Sequence, residues 1–198
     1  IFLGDYIDRG LHSRQVIDFL IELSQTEVEK PVFILGNHEQ VMRNIIRDHD
    51  INLMQSWMRF GGRETLLSYG VRPPTTMEPE ELTATLHNLI EKTPHSHVDF
   101  LGQLKNSSTF GDYFFCHAGV RPGIALHQQN EQDMAWIRYD FLTHNGPFGK
   151  VVVHGHTIVS QVEFKPNRVN IDTGAYATGC LTALALEGDK QWLLQTGN

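Results

Sequence analysis

An α/β fold, two sheets with helices outside them, is what this sequence predicts. Two apolar runs near the start each deliver a glycine-containing polar string, and a helical stretch separates them. A long central section carries helical patterning. The last part of the chain breaks into short apolar runs with short connections.

In order, Ile1-Phe2-Leu3 reads as a strand that delivers GDYIDRG, Gly4 to Gly10. Leu11 to Glu29 reads as a crossover helix, and Val32-Phe33-Ile34-Leu35 as the next strand, which delivers GNHE, Gly36 to Glu39. A strand, a helix and a second strand make the two strands parallel neighbours, and ligands of open α/β sheets bind at their carboxyl ends. A second helix begins at Asn37 and runs through Val41, Met42 and Ile45. The section from about 48 to 108 reads as an inserted helical lobe within a single domain spanning 1–198. It contains the Gly61-Gly62 break, a turn at Pro73-Pro74 and a helix opened by Pro79-Glu80-Glu81. Strands are then expected over Tyr113 to Cys116, Val151 to His154, Val162 to Lys165, Val169 to Ile171, Leu181 to Leu186 and Gln191 to Leu194, in an antiparallel or mixed sheet.

Composition narrows the function. At 198 residues and 40% hydrophobic, the chain can bury one sizeable core. Its 23 acidic against 16 basic residues give a net charge of −7, which argues against a nucleic-acid partner bound through phosphates. Two cysteines make no disulfide framework, so a reducing, cytoplasmic setting is expected. No apolar run approaches the ~20 residues that span a bilayer, so no membrane partner is expected.

Chemistry-bearing side chains gather at strand ends: Asp5, Asp8 and Arg9; Asn37 and His38; His117 in CHAG; His154 and His156 in HGHT. Glycines 4, 36, 119 and 155 sit beside them, where sharp turns and close backbone approach are needed. Carboxylate, amide and imidazole donors suit manganese, iron or zinc. Two such ions ~3.5–4 Å apart clamp the attacking and leaving oxygens of phosphoryl transfer and acidify a water, while arginines hold the remaining oxygens.

The strings GDYIDRG, GNHE, HAG and HGHT, in this order, resemble the calcineurin-like metallophosphoesterases. More narrowly they resemble the bacterial and phage branch of the serine/threonine phosphoprotein phosphatases. GGRETLLSYGV, GDYFFCHAGVRPG, WIRYDFL and NRVNIDTGAYATG extend the likeness over nearly the whole chain. The resemblance implies the family's two-sheet β-sandwich flanked by helices, and a site built on two divalent metals, manganese first, with iron or zinc as alternatives. Asp5 would bridge both ions, and Asn37, His117 and His156 would ligate the second. Arg9 and Arg138 would bind phosphate. His38 would protonate the leaving alkoxide, with Asp8 orienting its ring. The family's Asp-x-His string, which precedes GDYIDRG and supplies two ligands to the first metal, does not occur in this sequence. The first metal site is therefore expected to be incomplete, and the chain is expected to be a fragment rather than a naturally shortened member.

The implied function is metal-dependent hydrolysis of phosphomonoesters, with phosphoserine or phosphothreonine in proteins as substrate and small phosphoesters also accepted. The alternatives are a symmetrical dinucleoside tetraphosphate hydrolase and a truncated, catalytically impaired phosphate-binding module. Nothing in the sequence indicates an oligomeric state. Bland readings apply elsewhere. His154 is a core histidine, Arg63 is structural and Asp172 forms a turn. Arg138 is placed in a helical stretch. Cys116 is no phosphatase nucleophile: Arg121 lies one position short of the spacing cysteine phosphatases use, and a thiol closing an apolar strand is buried.

Overall fold

The computed structural model describes residues 1–26 and 30–197. It is an α/β protein with a five-stranded mixed sheet, a two-stranded sheet and flanking helices. The chain divides into two compact units, residues 1–105 and 106–198, each with its own core.

In the first unit, helices surround three short extended segments. Phe2 pairs with Phe33 and Ile34 pairs with Lys105, both in parallel. The two predicted strands are thus parallel neighbours, but their pairing is a single bridge closed by Phe2 N–H to the Val32 carbonyl at 2.8 Å and Ile34 N–H to the Phe2 carbonyl at 2.9 Å. The Tyr6 hydroxyl intrudes on this ladder, accepting from Ile34 N–H at 3.0 Å. Helix α1 spans Ser13–Ser24, shorter than the Leu11 to Glu29 expectation, whose end lies outside the described residues.

Helix α2 (Asn37–Asp48) has the acidic Glu39 in its first turn and Arg47 in its last, complementing its dipole, and stops at His49 with φ 53°. The central section is helical as expected: α3 (Ile51–Trp57), α4 (Gly62–Ser68), α5 (Pro79–Lys92) and α6 (His95–Gln103). Asp50 caps α3 by accepting from Asn52 and Leu53 N–H, each at 2.9 Å. Pro79 opens α5, and its Leu82, Leu86 and Leu89 stripe is buried. Leu86 and Leu89 share one core with Ile17, Leu20, Met42, Ile45, Met54 and Trp57.

The second unit is built on β1 (Ser107–Phe110), β2 (Tyr113–Cys116), β3 (Val151–His154), β4 (Glu163–Phe164) and β5 (Arg168–Asn170), in the order β1-β2-β3-β5-β4. The two central pairings are parallel and the two outer ones antiparallel. Parallel strands buried on both faces read as continuous apolar runs, as Tyr113-Phe114-Phe115-Cys116 and Val151-Val152-Val153 do. Helices α7 (Glu131–Trp136) and α8 (Tyr139–Leu142) precede β3, and α9 (Ala175–Thr178) follows β5. Strands β6 (Thr182–Glu187) and β7 (Lys190–Gln195) form a separate hairpin. Among the described residues no helix is long and apolar enough to cross a membrane.

A Cβ at Gly119 would sit 2.3 Å from the Phe141 ring, whereas one at Gly102 would meet nothing within 4 Å. Gly119→Ala should therefore destabilise the chain by ~1–3 kcal/mol through overpacking. Gly102→Ala, in α6, should be neutral or stabilising by up to ~1 kcal/mol. Urea midpoints of the two variants check both signs.

Candidate functional site

In the first unit, one buried carboxylate gathers the two leading strings. Glu39 is wholly buried and sits at the third position of α2. Its Oε2 accepts from the N–H groups of Gly36 at 3.0 Å and Asp5 at 2.9 Å. Its Oε1 accepts from Tyr6 at 2.7 Å and Ile7 at 3.2 Å. The GDYIDRG loop is thus hung on GNHE through backbone amides. The approach is so close that a Cβ at Gly36 would lie 2.5 Å from Asp5 N, Asp5 Oδ1 and Glu39 Oε2. Burial, followed by the Asp5 charge, pushes the Glu39 pKa up to about 7 against the pull of these amides.

Asp8 and His38 form the second tie. Asp8 Oδ2 lies 2.5 Å from His38 Nδ1 and also accepts from Trp57 Nε1 at 2.7 Å. Asp8 Oδ1 accepts from the Thr65 hydroxyl at 2.6 Å. The Asp8 side chain is fully buried and that of His38 nearly so. Burial disfavours the His38 cation, but the hydrogen bond to Asp8 and the charges of Asp5, Asp8 and Glu39 outweigh it, so the pKa is raised. With Nδ1 committed to Asp8, Nε2 is the ring nitrogen left for proton transfer. The two loops that carry Asp5, Asp8, Arg9, Asn37 and His38 are therefore tied to each other within this unit.

The second unit gathers His117, His156 and Arg138. His117 follows β2, and His156 follows β3 with φ 65°. Both imidazoles are buried, with His117 Nε2 3.2 Å from His156 Nδ1 and ring centroids 5.0 Å apart. The loops are joined by Gly155 N–H to the His117 carbonyl at 2.8 Å. Arg138 donates to the hydroxyl of Thr157, next to His156, at 3.1 Å. It does not sit in a helix as expected. With Ile137 it forms the non-helical link between α7 and α8, and at φ −131° and ψ −87° it is the N-cap of α8.

The bland readings correspond to specific contacts. His154 is buried at the end of β3, donates from Nδ1 to the Gly155 carbonyl at 3.0 Å and meets the Phe141 ring edge-on at 4.8 Å. Burial drives its pKa down to about 3, which keeps it neutral. Arg63 donates to the Pro74 carbonyl, and Asp172 accepts from Gly174 N–H across a turn. Cys116 is fully buried, which pushes its thiol pKa far up. Arg121 is engaged by Asp133 at 2.5 and 2.8 Å and by Asp140 at 3.1 Å, so no cysteine–arginine phosphatase pair exists here.

Sequence reasoning missed Glu39 as the organiser, and Trp57 and Thr65 as partners of Asp8. For Glu39 a signal was present: an acidic third helical residue can reach back to its own helix start. For Trp57 and Thr65 only the fold brings the partners together.

The match to known proteins agrees with this geometry. The calcineurin-like phosphoesterase family model matches residues 1–178. A curated relative from Anoxybacillus flavithermus, named bis(5'-nucleosyl)-tetraphosphatase PrpE (asymmetrical), is 28% identical over 204 residues, covering 92% of this chain and 73% of its own. A Bacillus thuringiensis protein of the same name is 28% identical over 206 residues, with the same coverage. Two solved structures share the fold. One, provisionally assigned as a diadenosine tetraphosphatase, has a TM-score of 0.62 at 17% identity, covering 98% of this chain and 79% of that one. The other, a metallophosphoesterase from Sphaerobacter thermophilus, has a TM-score of 0.51 at 14% identity, covering 98% and 76%.

Glu39→Ala would leave the amides of Gly36, Asp5, Tyr6 and Ile7 without their acceptor. It should destabilise the chain by ~3 kcal/mol or more, since each stranded buried donor costs ~1–3 kcal/mol. Chemical denaturation compared with the parent measures it. The motifs, the fold and the family match converge: the chain belongs to the calcineurin-like phosphoesterases, hydrolases of the metallophosphoesterase type.

Proposed function

We propose that the chain's residues serve a phosphoester hydrolase in which His38 is the general acid, Asp8 its orienting partner, and Arg9 and Arg138 the phosphate ligands. The observation that carries this reading is the buried Asp8–His38 pair at 2.5 Å. A carboxylate on Nδ1 fixes the ring and stabilises its protonated form, so that Nε2–H can be delivered to a departing oxygen. Arginine suits the phosphoryl oxygens because its planar, permanent cation binds them in pairs.

The donor set fits the metals the family uses. Asp5 and Asn37 offer hard oxygens, and His117 and His156 offer imidazoles whose ring nitrogens face each other at 3.2 Å, as nitrogens sharing one ligand do. By the family resemblance Asp5 and Asn37 would serve as ligands from the first unit and His117 and His156 as ligands from the second, for divalent cations of which manganese is our first choice over iron or zinc. When bound, such ions supply positive charge to the phosphoryl oxygens and acidify the attacking water.

For the substrate, GDYIDRG with GNHE supports phosphoserine or phosphothreonine in proteins. The names of the PrpE relatives support a second reading, an asymmetrical cut of a dinucleoside tetraphosphate. Phosphate release from a phosphothreonine peptide, set against nucleotide products from diadenosine tetraphosphate, separates them. A peptide-specific release supports the first reading. ATP with AMP supports the second, and two ADP would mark the symmetrical cut.

Chelation by EDTA should abolish hydrolysis of p-nitrophenyl phosphate, with manganese restoring it best. Activity that survives exhaustive chelation would rule out the metals. His38→Ala should leave bound metal unchanged and cut kcat on an alkyl phosphate by ~10²–10⁴-fold, the range for loss of a general acid. The aryl phosphate, whose leaving group needs no proton, should be nearly spared. Equal losses on both substrates would remove His38 from the acid role.

A further inference from the structure

Trp57 and Thr65 belong to none of the strings that place metal or phosphate, yet together they take up both oxygens of Asp8. The indole N–H of Trp57 reaches Oδ2 at 2.7 Å, the oxygen that also faces His38 Nδ1. The Thr65 hydroxyl donates to Oδ1 at 2.6 Å. Thr65 works twice, because the same hydroxyl accepts from the Asp8 backbone N–H at 2.9 Å. The Ser13 hydroxyl, 3.1 Å from Thr65 Oγ1, shares that amide.

The backbone of the loop needs this grip. Asp8 and Arg9 both adopt left-handed conformations, φ 76° and φ 63°, which side-chain-bearing residues rarely hold without support. Thr65 holds the amide of Asp8, and the Gly61 carbonyl accepts the amide of Arg9 at 3.1 Å. The fit is tight: a Cβ at Gly61 would lie 2.6 Å from Arg9 N, and one at Gly62 would lie 2.4 Å from the Trp57 ring. The segment from Trp57 to Thr65 is therefore a seat for the Asp8–Arg9 turn.

A carboxylate free to rotate could offer His38 either oxygen. Here Oδ1 is spent on Thr65, and the indole fixes the plane of Oδ2. We propose that Trp57 and Thr65 are positioning residues for the phosphoester reaction: they lock Asp8 so that it takes His38 only through Nδ1 and leaves Nε2 as the proton-bearing nitrogen. The proposal rests on the reading of His38 as the acid. Trp57 and Thr65 touch no substrate and act entirely through Asp8.

Two readouts test it on the full chain. In nitrogen-15 histidine NMR, the Nδ1-bound proton of His38 should be far downfield and slow to exchange in the parent. Trp57→Phe, which keeps the ring and removes the N–H, should move it upfield and speed its exchange by ~10-fold, as expected for one lost hydrogen bond to a charged group. Thr65→Val should do the same, and Thr65→Ser should restore the parent signal. With manganese added, Trp57→Phe and Thr65→Val should lower kcat on a phosphothreonine peptide by ~10-fold with KM nearly constant, and lower kcat on p-nitrophenyl phosphate far less. An unmoved His38 proton in both variants, or equal losses on the two substrates, would overturn the positioning role. Should His38→Ala itself spare the peptide, the acid reading fails and the catalytic part of the proposal falls with it. The NMR arm would still decide the hold on Asp8 independently.

Discussion

The inward-turned carboxylate of Glu39 is the constraint on which the first unit's site depends. Four backbone amides from two distant loops end on its two oxygens. Neither loop could take its shape alone. The pairing between the strands that lead into them is only a bridge, so the carboxylate supplies the order that a longer ladder would otherwise provide. Gly36 is the other half of the arrangement, since any side chain there would push Asp5 away. Metal or phosphate ligation by Asp5, Arg9 and Asn37 would follow from a scaffold decision made underneath them.

Backbone strain marks the same places. Among the described residues, the non-glycine positions with left-handed φ are Asp5, Asp8, Arg9, His49 and His156. His49 ends a helix, where that conformation is ordinary. The other four are residues the sequence singled out for chemistry. Each such conformation costs ~1–3 kcal/mol and persists only when its surroundings overdetermine it. For Asp5 and Asp8 the compensating bonds are visible: the Asp5 amide on Glu39, the Asp8 amide on Thr65 and Ser13.

Much of this was legible in the sequence because it is local. A strand followed by a glycine and a polar string specifies a loop at a sheet's carboxyl edge, and GDYIDRG, GNHE, CHAG and HGHT each do so within a few residues. The strands Tyr113–Cys116 and Val151–His154 match their apolar runs residue for residue. Ser107–Phe110 escaped notice because it is a half-exposed outer strand with no apolar alternation. Helix α9 escaped, and the helical stretch expected around Arg138 was not resolved into α7 and α8, because a helix of four to six residues has too few turns to show a period. Arg138 was misplaced for that reason: two helical fragments flank it, and Ile137 with Arg138 is the break between them.

What stayed illegible is non-local, and the substrate question belongs with it. GNHE supports a phosphoprotein substrate through its likeness to a family branch and not through a contact, because the Glu39 carboxylate is sealed from solvent and accepts from four backbone amides. A residue in that position reports how the scaffold is braced, not what it binds. The same holds for Asp8, whose oxygens are spent on Trp57, Thr65 and His38. Discrimination between a peptide and a dinucleotide has to come from groups that reach beyond the phosphate. The motif residues are largely committed to holding one another, so strings that name the reaction so clearly carry little about the rest of the substrate.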